Sequence, residues 1–177
     1  MTRRSLLVSS LALVVAGTIA GSRPAGAAPA AVEPKAAFEK LKALAGTWRG
    51  AAGHGAMDQQ ASVVYRVASG GTVVQETLFP GSPHEMISMY HLADGQLLMT
   101  HYCAMGNQPR MKLDTAASTP DRLVFAFDGG TNLDPAKDGH VHSGVLEWKG
   151  EALHADWTFW AGGKESNHAV FELRRGQ

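Results

Sequence analysis

Residues 86–103 read MISMYHLADGQLLMTHYC, two apolar-rich runs on either side of Asp94-Gly95. Asp-Gly is a strong signal for a two-residue turn that joins neighbouring antiparallel strands. A turn at this point pairs Leu92 with Leu97 and sets the register for the whole stretch. The segment therefore predicts an antiparallel β-hairpin.

The chain outside this hairpin follows the same pattern from Gly46 onward. About ten short runs with strand character are separated by turn residues such as Ser69-Gly70-Gly71 and Gly162-Gly163. Regular short strands with tight turns indicate a sandwich or a barrel rather than βαβ units. Before them, apolar residues repeat at helical spacing after Pro34, which predicts one short amphipathic helix that stops near Gly46.

The N-terminus has the three-part layout of a secretory signal. Arg3 and Arg4 precede an apolar run of about 15 residues, shorter than the roughly 20 that span a bilayer, and Ala25-Gly26-Ala27 suits a signal peptidase. We expect export to the periplasm or secretion, through the Sec or the twin-arginine route. The predicted organisation is a signal peptide at 1–27, a linker at 28–34 and a barrel domain at 35–177.

The charge balance argues against some classes of partner, and the cysteine content excludes an internal disulfide. Removing Arg3, Arg4 and Arg23 with the signal leaves 13 of the 16 basic residues against 16 acidic ones. This balance argues against nucleic acid, which requires a basic face, and no later segment has the length and apolarity of a membrane span. Cys103 is the single cysteine, so no internal disulfide is available. We expect a monomer or a weak dimer.

The choice between sandwich and barrel rests on a resemblance. The segment Leu44-Ala45-Gly46-Thr47-Trp48-Arg49-Gly50, a short helix leading into Gly-x-Trp, resembles the opening of lipocalin-type (calycin) barrels. There the helix closes one end of the barrel and the tryptophan fills its floor. The stretch from Met89 to Met111 is also similar to secreted bacterial lipocalin-like proteins. The resemblance implies an all-β fold, an antiparallel up-and-down barrel of about 8–10 strands with one short N-terminal helix.

A second resemblance involves a cofactor. Gly46-Thr47-Trp48-Arg49-Gly50 resembles the opening motif of nitrobindin, a haem-binding β-barrel. His168, followed by Leu173-Arg174-Arg175, stands roughly where the C-terminal haem histidine of that family would be. This resemblance implies haem ligation by His168, as the alternative to a lumen without a cofactor.

The hairpin supplies most of the candidate ligand-binding residues. Its register places six side chains on one face: Met86, Ser88, Tyr90, Met99, His101 and Cys103. The other face, with His91, Thr100 and Tyr102, is equally mixed, so periodicity does not choose between them. A free cysteine is usually buried, and we therefore predict that the Cys103 face lines the interior. Polar groups in an apolar interior are typical of a ligand site, although the same groups could pair in a filled core.

Other candidates stand on the strands that follow. His140-Val141-His142 points both imidazoles to one side of a strand, as in some metal sites, but no third ligand is recognisable. A turn at Lys149-Gly150 would pair His142 with Trp157 on the apolar face. Arg110 could clamp an anionic group at the barrel mouth or cap a strand end in solvent.

These residues favour a binding protein over an enzyme. His101 and Cys103 lie two apart on one strand, with Cβ atoms roughly 7 Å apart, too far for a dependable thiolate–imidazole pair. We expect an exported barrel that holds a small apolar or amphipathic molecule in its lumen, with no cofactor. The alternatives are a haem-binding protein that uses His168 and an enzyme in which a lumen histidine is the general acid or base.

Overall fold

The computed structural model describes residues 31–54 and 57–176, which form one α-helix, a short 3₁₀ turn and ten β-strands. The predicted signal peptide lies outside these residues. The helix α1 spans Pro34–Lys42 and the 3₁₀ turn Ser69–Gly71. The strands are β1 Gly46–His54, β2 Met57–Ala68, β3 Val73–Leu78, β4 Met86–Ala93, β5 Gln96–Tyr102, β6 Gln108–Leu113, β7 Arg122–Thr131, β8 His140–Lys149, β9 Ala152–Ala161 and β10 Lys164–Arg175.

The strands close into an up-and-down barrel. Each pairs antiparallel with its neighbours in the chain, and β1 also pairs with β10. Closure removes the unpaired sheet edges on which other chains could add a strand. The predicted fold class, an antiparallel barrel of about 8–10 strands with one short helix, is confirmed. Within residues 31–54 and 57–176, no helix has the length and apolarity needed to span a bilayer.

The helix and Trp48 seal one end of the barrel. Phe38 and Leu41 on α1 are buried, and Trp48 is only 4% exposed. The Trp48 indole N–H donates to the carbonyl of Leu44 at 2.7 Å, which ties the floor of the barrel to the chain that follows the helix. The Arg175 guanidinium lies 4.9 Å from the centre of the Trp48 ring and covers it from outside. The helix α1, Trp48 and Arg175 therefore close one end of the barrel, which we call the closed base.

The hairpin at 86–103 has the predicted register. Leu92 pairs with Leu97, and Ser88 lies opposite His101. Asp94 and Gly95 have φ angles of 50° and 74°, the left-handed values that a type I′ turn requires at both central positions. The side chains of Ser88, Tyr90, Met99 and His101 are all buried. The predicted face is thus the inner one.

The predicted register between β8 and β9 is wrong. The turn residues are Gly150 and Glu151 instead of Lys149 and Gly150, so Gly144, and not His142, lies opposite Trp157. A Cβ atom on residue 144 would come within 2.0 Å of the Trp157 ring. The indole therefore packs directly against the backbone of Gly144, and a residue with a side chain at this position would leave no room for it. His142 itself is the extra residue of a bulge and has no partner on β9.

Candidate functional site

A cavity of about 320 Å³ lies inside the barrel, at the end away from α1. Its walls are mainly aromatic and aliphatic, with contributions from Leu78, Phe79, Met86, Val141, Phe159 and Phe171. Among the described residues that line it, none is a lysine, arginine, aspartate or glutamate. A pocket of this size and character is typical of small-molecule sites.

Two residues that line the cavity each contain a buried polar atom with no hydrogen-bond partner in the described part of the chain. These atoms are Nε2 of His101 and Nε1 of Trp157. His101 is 4% exposed and Trp157 is 7% exposed. Buried polar atoms in folded proteins nearly always have a partner. Neither nitrogen has appreciable accessible surface, so other atoms of His101 and Trp157 form the surface of the cavity.

His101 ends a row of buried polar side chains that crosses four strands in register, from Tyr65 on β2 through Glu76 on β3 and Ser88 on β4. The Tyr65 hydroxyl donates to Oε1 of Glu76 at 2.6 Å, and the Tyr90 hydroxyl donates to Oε2 at 2.9 Å. Ser88 Oγ lies 3.1 Å from Nδ1 of His101. The row thus connects a carboxyl in the core to an imidazole in the cavity wall.

Burial shifts the acid–base properties of this row. Desolvation raises the pKa of Glu76, and hydrogen bonds from Tyr65, Ser88 and Tyr90 oppose the rise. Desolvation also lowers the pKa of His101 from 6.5 to about 4. The charged imidazolium is disfavoured because it would lie in an apolar cavity. His101 is consequently neutral near pH 7, with one ring nitrogen protonated and the other carrying a lone pair.

The ten predicted ligand-binding residues divide into three groups. Those that line the cavity are Met86, His101, Cys103 and Trp157. Those buried deeper in the barrel, towards α1, are Ser88, Tyr90 and Met99. The three that lie elsewhere are Arg110, His140 and His142.

Arg110 does not reach the cavity. On β6 it stands between the buried residues Pro109 and Met111 and points to the outer face, where it is exposed. Its guanidinium contacts the backbone carbonyl of Asp128 at 3.4 Å. Strand alternation therefore excludes the predicted clamp at the barrel mouth and leaves the alternative of a solvent-facing side chain.

His140 and His142 belong to an aromatic cluster separate from the cavity. Nε2 of His140 lies 3.0 Å from Nδ1 of His142. The His142 ring is stacked between Trp160, at 3.8 Å, and Phe127, at 4.5 Å between ring centroids. Across the described residues, no three histidine, cysteine, aspartate or glutamate side chains come together in a way that could hold a metal ion.

His168, the alternative haem ligand, lies on the outer face of β10. Its neighbour Ala169 lines the cavity, so alternation turns His168 to the other side of the sheet. Nδ1 lies 2.7 Å from Asp156 and Nε2 lies 3.2 Å from Glu165. These hydrogen bonds, that to Asp156 first, raise the pKa of His168. Both ring nitrogens are therefore engaged outside the barrel.

Sequence reasoning missed Glu76 and Tyr65, the polar centre of the core. Glu76 is 1% exposed although carboxylates are rarely buried. The signal was present, because Val74 and Leu78 flank Glu76 at alternate positions of a short strand and both face inward.

Comparison of the chain with protein-family models and with the sequences of curated proteins gave no match.

Proposed function

We propose that this protein binds a small apolar or amphipathic molecule in the cavity of its barrel. The observation that carries the proposal is a largely apolar cavity of about 320 Å³ at the end of the barrel away from α1. A pocket of this size with mainly apolar walls and a few polar lining side chains, among them Gln59, His84 and His101, has the character of a small-molecule site.

Two further features support a lipocalin-like carrier. Trp48 follows the short helix and forms the floor of the barrel, as the resemblance of Gly46-Thr47-Trp48 to calycin barrels implies. The N-terminal segment 1–27 supports export, with the ligand captured in the periplasm or outside the cell. The proposal needs no cofactor.

The test is a fluorescence titration of the mature protein with N-phenyl-1-naphthylamine, a neutral apolar probe that brightens in apolar surroundings. We expect saturable binding of one probe per chain. Ala52 lines the cavity and is 5% exposed, so Ala52→Phe fills part of the space and should weaken binding at least about tenfold, a loss of about 1.4 kcal/mol.

The matched control is Ala51→Phe, which adds the same ring to the neighbouring residue on the exposed face of β1. This variant should bind the probe as the wild type does. Urea unfolding of both variants checks that the barrel is intact. Equal weakening by the two substitutions, or unchanged binding in a folded Ala52→Phe protein, would place the probe outside the cavity and contradict the proposal.

A further inference from the structure

The mouth of the cavity is marked by residues that line it and are also exposed to solvent. They are Gln59 on β2, His84 in the loop between β3 and β4, and Ala104 and Met105 in the turn between β5 and β6. Met105 is 61% exposed. Both the solvent and a molecule that enters the cavity therefore reach the Met105 side chain.

Hydrogen bonds hold the turn that carries Met105 in place. The Gly106 amide donates to the carbonyl of Cys103 at 2.9 Å, and the Cys103 amide donates to the carbonyl of Asn107 at 3.1 Å. The Asn107 side-chain amide also donates to the carbonyl of Gly139 at 2.8 Å, which ties the turn to the chain that leads into β8. Met105 thus has a defined position although it is exposed.

The end of the Met105 side chain lies against this same glycine. A Cβ atom on Gly139 would come within 2.9 Å of the Met105 terminal methyl and within 2.9 Å of the Phe159 ring. The two side chains therefore converge on Gly139, and both line the cavity. Met105 completes the apolar wall beside Phe159 at the mouth.

Methionine is the apolar side chain at this mouth that an oxidant can convert into a polar one. Its thioether sulfur takes one oxygen atom from hydrogen peroxide and becomes a sulfoxide, so the sulfur loses two electrons and the peroxide is reduced to water. Met99 and Met111 are fully buried, and Met86 and Met89 are half-buried. Peroxide therefore reaches Met105 more readily than these four residues.

We propose that Met105 is an oxidation site whose sulfoxide weakens binding in the cavity. This inference rests on the proposed function and adds a control on it. A sulfoxide requires hydration that Phe159 and the other apolar walls do not supply. The oxidised side chain turns towards solvent, and the wall beside Phe159 loses an apolar contact with the bound molecule.

The first measurement is the order in which the methionines react. The mature protein is treated with hydrogen peroxide, and its peptides are analysed by mass spectrometry at intervals. We expect sulfoxide at Met105 before Met86, Met99 and Met111, and similar rates at all four in the urea-unfolded chain. Oxidation of Met99 or Met111 as fast as Met105 in the folded protein would contradict the inference.

The second measurement is the affinity for N-phenyl-1-naphthylamine after the peroxide has been removed. The parent protein for this series carries Cys103→Ala, because the thiol lines the same cavity and also reacts with peroxide. We expect oxidation to weaken probe binding about fourfold, the effect of losing roughly one methyl-sized apolar contact. Treatment with methionine sulfoxide reductases, one for each sulfoxide epimer, should restore the affinity.

Variants of this parent assign the effect to Met105. Met105→Leu keeps an apolar side chain of similar size that peroxide does not oxidise, so its affinity should be unchanged before and after treatment. Met105→Gln introduces a polar side chain and should weaken binding without any oxidant. The matched control is Met89→Leu, which stands between the inward-facing Ser88 and Tyr90 on β4 and should respond to peroxide as the parent does.

The outcomes separate the two proposals. If the untreated protein binds the probe and oxidation of Met105 leaves the affinity unchanged, the inference is wrong and the binding function stands. A loss of affinity on peroxide treatment that persists in Met105→Leu assigns the effect to another residue and also overturns the inference. If the untreated wild-type protein does not bind the probe, the proposed function fails, and the inference fails with it.

Discussion

His101 is buried, and one of its ring nitrogens has no hydrogen-bond partner among the described residues. Burial of the ring makes the stability of the folded protein depend on pH. The protonated ring would require solvation that the apolar walls do not supply. Below pH 6.5 the unfolded chain therefore binds a proton at this residue that the folded chain refuses until pH about 4. Whenever the unfolded state binds more protons, stability falls as the pH falls.

We therefore expect His101→Leu to gain stability relative to the wild type as the pH falls from 7 to 4. Each pKa unit corresponds to about 1.4 kcal/mol, so the fall from 6.5 to about 4 predicts a relative gain of about 3 kcal/mol. Urea unfolding of both proteins at pH 7, 5.5 and 4 measures it. Taking the difference between the two proteins removes the contributions of the other titratable groups, Glu76 included. A difference that stays constant with pH would contradict a buried neutral His101.

The residue scale is also where sequence reasoning was least complete. The alternation in β4 and β5, together with the preference of a free cysteine for burial, was enough to predict that Ser88 and His101 face inward. Glu76 was not identified because a lone carboxylate on a strand is normally solvated. What stabilises it, the hydroxyls of Tyr65 and Tyr90, comes from two other strands whose register only the folded barrel defines.

At the scale of elements, the contact between β8 and β9 shapes one wall of the cavity. Trp157 lies against Gly144, where any side chain would overlap the indole. The sequence contains glycine at 144 and at 150, and local turn rules do not reveal which of them faces the tryptophan. The Asp94-Gly95 turn was predictable because both residues suit positive φ. The turn between β8 and β9 was not, because the sequence allows a two-residue turn at Lys149-Gly150 as well as at Gly150-Glu151, where the structure has it.

Gly144→Ala should displace Trp157 into the cavity. A Cβ atom at this position would lie 2.0 Å from the ring, so the indole must move. We expect a loss of about 1–3 kcal/mol in the free energy of unfolding from overpacking. The affinity for N-phenyl-1-naphthylamine should fall at least about tenfold. Ser143→Ala, the outward-facing neighbour, is the control, and probe affinity equal to wild type in Gly144→Ala would disprove this packing.

Arg175 joins the last strand to the closed base. Its guanidinium covers Trp48 and donates to the carbonyls of Ala45, at 2.9 Å, and Ala43. We expect Arg175→Ala to cost about 1–2 kcal/mol, because a cation–π contact and charge-assisted hydrogen bonds are both lost.

Arg174→Ala, which removes the adjacent exposed arginine, should have a much smaller effect. Urea unfolding compares the two variants, and hydrogen exchange in α1 shows whether the helix loosens in Arg175→Ala. Equal stability of the variants, with unchanged exchange in α1, would show that Arg175 does not hold the base together.

On the scale of the whole molecule, the barrel is closed and packed at one end and hollow at the other. Buried leucines such as Leu97, Leu123 and Leu146 fill the half near α1, and the cavity occupies the other half. Alternation, turn residues and the Gly46-Thr47-Trp48 segment predicted the barrel. They could not predict the cavity, because the space left inside depends on how side chains from all the strands meet.

The central claim, that this hollow half is a binding site for a small molecule, is tested most directly by crystallography with a heavy-atom probe. 6-Bromo-2-naphthol would be soaked into crystals of the mature protein and diffraction recorded at the bromine absorption edge. We predict one dominant anomalous peak inside the barrel, among Phe79, Trp157 and Phe171. A lumen filled by side chains, or a dominant bromine peak outside the barrel, would contradict the account.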